Sequence, residues 1–314
     1  MADKFNDSRE LPPVTTRDLF LPDRQGSFFR IAARGGGGNA YQNPWSEMWI
    51  LLRRAAKLLV RNELVNSMRL FQILIFAFML GIIWVGKGRS EKLEDRVSVL
   101  GILFFIVINQ SGAAYGTLPA YPLERNILFR ESAVQMYRLS TSLLTKSLMD
   151  ALKGVIFTLI FTSILYFLVG LQATFEAFAK FNLVILLLTL FCEALAYAVS
   201  ILTDNPQASS SVVTTFIVIF LLLGGYFAPA NTVPEWLRWT RFLSLMFYGY
   251  NALADIESPP DSRDEISVFV RRNAQLNTFS YWQNCGMLLA ATVVLKLLAF
   301  LLLKYVRNPK FLKT

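Results

Sequence analysis

Histidine occurs nowhere in this 314-residue chain. Its absence removes the Ser-His-Asp and Cys-His triads and most zinc sites, all of which need an imidazole. Cysteine is nearly absent too. Cys192 and Cys285 lie in or beside apolar runs, outside any CxxC or Cys/His pattern, so neither a disulfide framework nor a metal site is expected. Charge is also scarce: Asp, Glu, Lys and Arg make up 17% of residues, against about a quarter in soluble domains. The opening stretch MADKFNDSRELPP has no apolar core, so no cleaved signal peptide is expected.

What remains is apolar. The chain is 54% hydrophobic and 14% aromatic, which points to a membrane protein. Its formal charge of +9 flanks apolar runs instead of forming a stripe with interleaved aromatics. The cations therefore read as membrane orientation, and no nucleic-acid partner is expected.

Residues 1–43 carry Pro12, Pro13 and Pro22 and end in RGGGGN, as expected of a flexible cytosolic tail. PWSEMWILLRRAAKLLVRNEL (44–64) opens with a helix-start signal. Trp45, Trp49, Leu52, Ala56 and Leu59 recur at helical spacing opposite Arg53, Arg54, Lys57 and Arg61, which suits an interfacial helix lying against anionic lipid. Six apolar runs follow, near 66–86, 97–118, 143–169, 181–202, 208–228 and 283–304. Each approaches the ~20 residues needed to cross ~30 Å of hydrocarbon. A charged connector spans 119–142, TDNPQ makes a tight turn at 203–207, and 229–282 is a long tryptophan-bearing excursion on the outer side.

Lys and Arg near the span ends set orientation. They crowd the leading segment (Arg53 to Arg69), the second connector (Arg125, Arg130, Arg138, Lys146) and the end of the chain (Lys304, Arg307, Lys310, Lys313). With six spans all three lie on one side, so both termini are expected in the cytosol. The first connector, KGRSEKLEDR, runs mildly against this. The fold class expected is an all-α membrane protein, a basic interfacial helix followed by six transmembrane helices, in a plasma or organelle membrane.

GIIWVGKG (81–88) imitates the phosphate-binding GxxxxGK[ST] loop. Gly88 stands where that loop has Ser or Thr, and no strand precedes it, so it is not expected to bind nucleotide. Neither a Walker B strand nor an LSGGQ-like signature occurs, and the chain is not expected to be an enzyme by itself.

Three blocks in order carry a family pattern: LFFIVINQ (103–110), PLERNILFRESAVQMYRLS (122–140) and PEWLRWTRFLSLMFYGYNAL (234–253). Over roughly 44–308 the chain resembles the transmembrane, or permease, domain of G-subfamily ABC transporters, the white and pleiotropic-drug-resistance type. The resemblance implies a six-span exporter fold working as a dimer, homo- or heteromeric. It also implies ATP and Mg held by a nucleotide-binding domain outside this chain, with no cofactor bound directly here. The cargo implied is a hydrophobic or amphipathic small molecule, lipid or xenobiotic. The open alternatives are a non-transporting or degenerate permease that dimerises with and regulates complete transporters, or a fragment of a longer half-transporter.

The resemblance makes the connector a coupling helix, with Glu124, Arg125, Arg130 and Glu131 supplying charge and Ile127, Leu128 and Phe129 an apolar grip. Read without the resemblance, the same charges serve equally well to keep a solvated turn out of the bilayer. The family's substrate cavity maps onto Asn109, Gly112, Thr214, Val218 and Leu221, with Gly112 where drug-exporting members have an aromatic clamp. Tyr226 and Phe227 match an apolar exit plug. Asn109 reads otherwise as an interhelical hydrogen-bonding group, and the span-five residues as ordinary packing. Four charges fall inside spans. Asp150 and Lys153 share a helical face and are expected to neutralise each other. Glu193 and Lys296 lie at equal depth and are expected to pair across spans four and six.

Overall fold

A computed structural model describes residues 44–61, 63–90, 92–112, 118, 121, 127–128, 131, 137–172, 174–203, 205–226, 234–257 and 279–306. The expected tail at 1–43 and most of the connector lie outside these residues. Among the described residues there are helices and no strands. Helix α1 is Pro44–Arg61 and α2 Glu63–Ile83, and α3 runs Leu93–Ser111. Then come α4 (Leu139–Val169), α5 (Phe175–Leu202), α6 (Pro206–Leu222), α7 (Leu245–Glu257) and α8 (Tyr281–Leu301, continued by a π turn to Val306).

Four of these are long and apolar enough to cross a membrane: α2, α4, α5 and α8. Helix α4 has 31 residues and extends ~46 Å at ~1.5 Å per residue, well beyond one hydrocarbon thickness. The span boundaries differ from the apolar runs because helices continue through polar caps. Thr174 caps α5 by accepting from the Ala177 amide, and Asn205 caps α6 by accepting from Gln207. The run at 97–118 is helical only to Ser111 within the described residues, and it starts earlier, with Glu94 and Asp95 in its first turn.

Helix α5 is the hub. It packs against α3, α4, α6, α7 and α8, and 83% of its most apolar stretch is buried, against 17% for α2. FEAFAKFNLVILLLTLFCEALAYAVSIL has no polar face to give to solvent, so it sits where every side meets another helix. Helix α2 leans on α4 and presents Phe71, Ile75, Phe78, Met79 and Ile82 outward.

The long excursion after α6 contains the main departure from the expected outer lid. EWLRWTRFL (235–243) is a 3-10 helix with Trp236 and Trp239 exposed. LMFYGYNALADIE, however, is a helix with Met246 through Glu257 all buried, wedged among α3, α5, α6 and α8. Its Asn, Asp and Glu disguise a core element in sequence. Gly249 permits the fit, since a Cβ there would stand 2.6 Å from Leu188 Cδ1 and Cδ2 of α5. Gly249→Val is expected to destabilise the bundle by ~1–3 kcal/mol through overpacking, read as a lower unfolding temperature in detergent, with Gly286→Val, which meets open space, as the control.

The GIIWVGKG stretch is a helix end, a turn and a short 3-10 helix. A Cβ on Gly88 would lie 2.6 Å from the Gly170 carbonyl oxygen. That glycine therefore serves the close approach of the α2–α3 turn to the α4–α5 turn.

Candidate coupling and cargo sites

Helix α1 and the connector are clasped together. Arg54 donates from Nη2 to Glu131 Oε1 at 2.8 Å and from Nη1 to Oε2 at 3.1 Å, and the Tyr137 hydroxyl donates to the same Oε2 at 2.6 Å. A planar guanidinium meeting a carboxylate edge to edge fixes orientation as well as distance. The hydrogen bonds from Arg54 hold the Glu131 carboxyl below its ordinary range, and those bonds in turn raise Arg54. Burial, then the bond to Glu131, raises Tyr137. Nearby, Thr141 at the head of α4 donates to the buried Glu47 of α1 at 3.4 Å.

The apolar residues of the connector divide between two faces. Leu128 is buried against Ala198 and Ile201 of α5 and Ala299 and Leu303 at the end of α8. Ile127 is 48% exposed. Glu124, Arg125, Phe129 and Arg130 lie outside the described residues. Glu131, expected to meet a partner, is instead engaged within the chain.

Inside the bundle, Lys153 pairs with Asp150 at 2.7 Å, as their i,i+3 spacing requires. Glu193 does not pair with Lys296. Its ion partner is Arg69 of α2, with Nη2 3.5 Å from Oε1. Equal depth places two residues in one layer of a membrane but leaves the rotation of each helix undetermined. Arg69 also sits over the Phe157 ring, 4.7 Å from its centroid. Among the described residues neither oxygen of Glu193 has a hydrogen-bond partner, although the residue is 2% exposed.

Beside this pair is a small cleft of about 30 Å³ where α2, α3, α4 and α5 approach one another. Arg69, Gln72, Asn109, Gln110, Phe157 and Thr189 line it. Thr189 donates to Gln110 Oε1 at 3.1 Å. Asn109 therefore faces a polar recess within one protomer, and no residue of α6 lines that recess. Sequence reasoning missed Arg69 and Gln72. A cation and a carboxamide three residues apart within an apolar run were the available signal.

On α6 only Ser209, Val213 and Ile217 are buried. Thr214 donates to the Ser210 carbonyl at 2.7 Å, Val218 is exposed, and Leu221 packs partly against the core. At the other end, Gly225 adopts φ +89°, a left-handed turn that favours glycine. It delivers Tyr226 onto Phe104, stacked at 4.6 Å and 16°. A Cβ on Gly101 would lie 3.1 Å from the Tyr226 hydroxyl. Phe227 lies outside the described residues. Gly112 ends α3 at φ −61° with open space where a Cβ would point. Gly112→Phe is therefore expected to fold with less than ~1 kcal/mol lost and to raise the affinity for flat multi-ring dyes severalfold, measured by fluorescence titration.

Long apolar helices with charged residues gathered inside their bundle define an integral membrane protein. Residues 46–258 match the family described as ABC-2 type transporter, and the chain belongs to that family. Among curated proteins it is similar to the ABC transporter ATP-binding protein/permease wht-1 of Caenorhabditis elegans, 28% identical over 211 residues, covering 67% of this chain and 31% of that protein. It is also similar to two Arabidopsis thaliana proteins, ABC transporter G family member 14 (28% over 223 residues, 71% and 34% covered) and member 4 (31% over 209 residues, 66% and 34%). The chain spans about a third of the length of these relatives, and the similarity falls on the transmembrane region of a G-type permease domain.

Proposed function

We propose that this chain is the permease component of an ATP-driven exporter that moves a hydrophobic or amphipathic small molecule or lipid. ATP hydrolysis, with ATP and Mg, is supplied by a nucleotide-binding domain on a separate polypeptide. The permease works as a homo- or heterodimer with a second permease half in a plasma or organelle membrane. In this reading α2, α3, α4, α5, α6 and α8 are six spans, α1 lies along the cytosolic interface, and both termini are cytosolic. Exposed Trp45 and Trp49 at one end, and Trp236, Trp239 and Trp282 at the other, support it as two aromatic girdles.

The observation that carries the coupling role is the Arg54–Glu131–Tyr137 clasp. It ties the connector to α1, while Leu128 ties it to α5 and α8. A push on the connector would then be delivered to several helices together. Exposed Ile127, with Phe129, Glu124, Arg125 and Arg130, would meet the ATP-binding partner. Asn109, Gly112, Thr214, Val218 and Leu221 would line the cargo path, and Tyr226 with Phe227 would close its exit.

The test is tagged purification from native membranes in mild detergent, with crosslinking and mass spectrometry. A stoichiometric ATP-binding polypeptide, lost when Glu124, Arg125 and Arg130 are neutralised, is expected. A complete G-type transporter as the partner would replace this reading with a regulatory one. Absence of any partner would remove the transport claim.

A further inference from the structure

Four polar side chains around the cleft have unmet hydrogen-bonding capacity. Among the described residues Arg69, Gln72 and Asn109 make no side-chain hydrogen bond, and the Gln110 amide nitrogen has no acceptor. Arg69 has only the 3.5 Å approach to Glu193 and the face of Phe157. A guanidinium carries five N–H donors in a fixed fork. The Arg69 side chain keeps 17% of its surface exposed and Gln72 is exposed, so these donors are open to an acceptor that arrives from outside.

The surrounding charges have a sign. Asp150 is matched by Lys153 at 2.7 Å and Glu193 by Arg69 at 3.5 Å. Lys296 of α8 has neither an ion pair nor a hydrogen bond among the described residues, yet it stands within electrostatic reach of both acids. Lys146, over the rings of Tyr121 and Tyr197, adds no negative charge. Four cations, Arg69, Lys146, Lys153 and Lys296, against two acids leave two positive charges. Helix α2 packs on α1 and α4 and hardly touches α3, so the cleft has a lateral side; Phe76 and Phe105, one turn along α2 and α3 from Gln72 and Asn109, are exposed.

We infer that this cleft binds the carboxylate headgroup of a single-chain amphiphile, with Arg69 as its forked anchor, Gln72, Asn109 and Gln110 as further donors, and the alkyl chain directed along the apolar flank of α2. The inference deepens the export reading and rests on it for one point, that the amphiphile is cargo and not a resident lipid.

The test is equilibrium binding to the full chain in phosphatidylcholine nanodiscs at pH 7.4, using labelled dodecanoate, dodecanol and dodecyltrimethylammonium. Dodecanoate is expected to bind about tenfold or more tightly than either of the others, equivalent to ~1.4 kcal/mol. The double change Arg69→Gln/Glu193→Gln removes the fork without stranding a buried charge and is expected to abolish that preference. Gln72→Leu and Asn109→Leu are expected to weaken dodecanoate severalfold and carry the test if the double variant does not fold. Lys57→Gln, on α1, should change nothing. Equal binding of all three probes, or a preference that survives the loss of Arg69, would overturn the inference. A second arm measures ATP-dependent movement in vesicles containing the ATP-binding partner. Arg69-dependent binding without movement supports the cleft with a lipid occupant and counts against export. Movement of other cargo without any dodecanoate preference overturns the cleft and leaves export standing.

Discussion

Arg69→Met is expected to cost the bundle ~3–5 kcal/mol, enough to abolish folding or lower the unfolding temperature steeply, because it strands an ionised Glu193 in the interior. Glu193 is 2% exposed and Arg69 is its sole ion partner among the described residues. Glu193→Gln should cost much less. Arg69 keeps 17% of its side chain exposed and the face of Phe157 beneath it, and an arginine can direct its head toward water while its stem stays packed. The double variant should recover most of the loss, since a buried pair replaced as a unit frees the fold of its desolvation cost. Thermal unfolding of the four proteins in one detergent gives the cycle. Additive effects, with no recovery in the double variant, would reject Arg69 as the partner that makes a buried Glu193 tolerable.

Breaking the clasp should act differently. Glu131→Gln or Arg54→Met is expected to lower cargo-stimulated ATP turnover about tenfold in the assembled transporter, ~1.4 kcal/mol of coupling, within the ~1–3 kcal/mol typical of linked sites. Folding should barely change: Arg54 is 50% exposed and Glu131 20%, and pairs this wet contribute at most ~1 kcal/mol. The readout is therefore the ratio of stimulated to basal turnover, with unfolding temperature as the control. The small stabilisation also has a pH signature. Because Glu131 is depressed below its ordinary value of 4.5, the stability it adds is complete above pH 4.5 and is lost as pH falls further, through the folded value. The difference in unfolding temperature between the parent and Glu131→Gln should be constant from pH 6 to 8 and shrink below 4.5. A tenfold loss of stability with the coupling ratio unchanged would remove the connector from the transmission path.

Much of this molecule is visible in the order of its residues. Apolar runs of membrane length locate α2, α4, α5 and α8, because a backbone in hydrocarbon must satisfy its own hydrogen bonds and a helix does so locally. The i,i+3 pair of Asp150 and Lys153 follows from one turn of one helix. The charged connector stands out because its composition differs from everything around it. What the order of residues could not supply is which way each helix faces. Depth matched Glu193 with Lys296, but helix rotation gave Glu193 to Arg69. Charge marked Glu131 as a contact for a partner, but chain reversal brought it to Arg54, 77 positions away. The polar letters of LMFYGYNALADIE suggested an outer loop, and only the close approach allowed by Gly249 against Leu188 buried it as α7. Local structure is decided within a few turns of chain. The partners of a buried charge, and the side of a helix that meets a cleft, are decided by packing between helices distant in sequence.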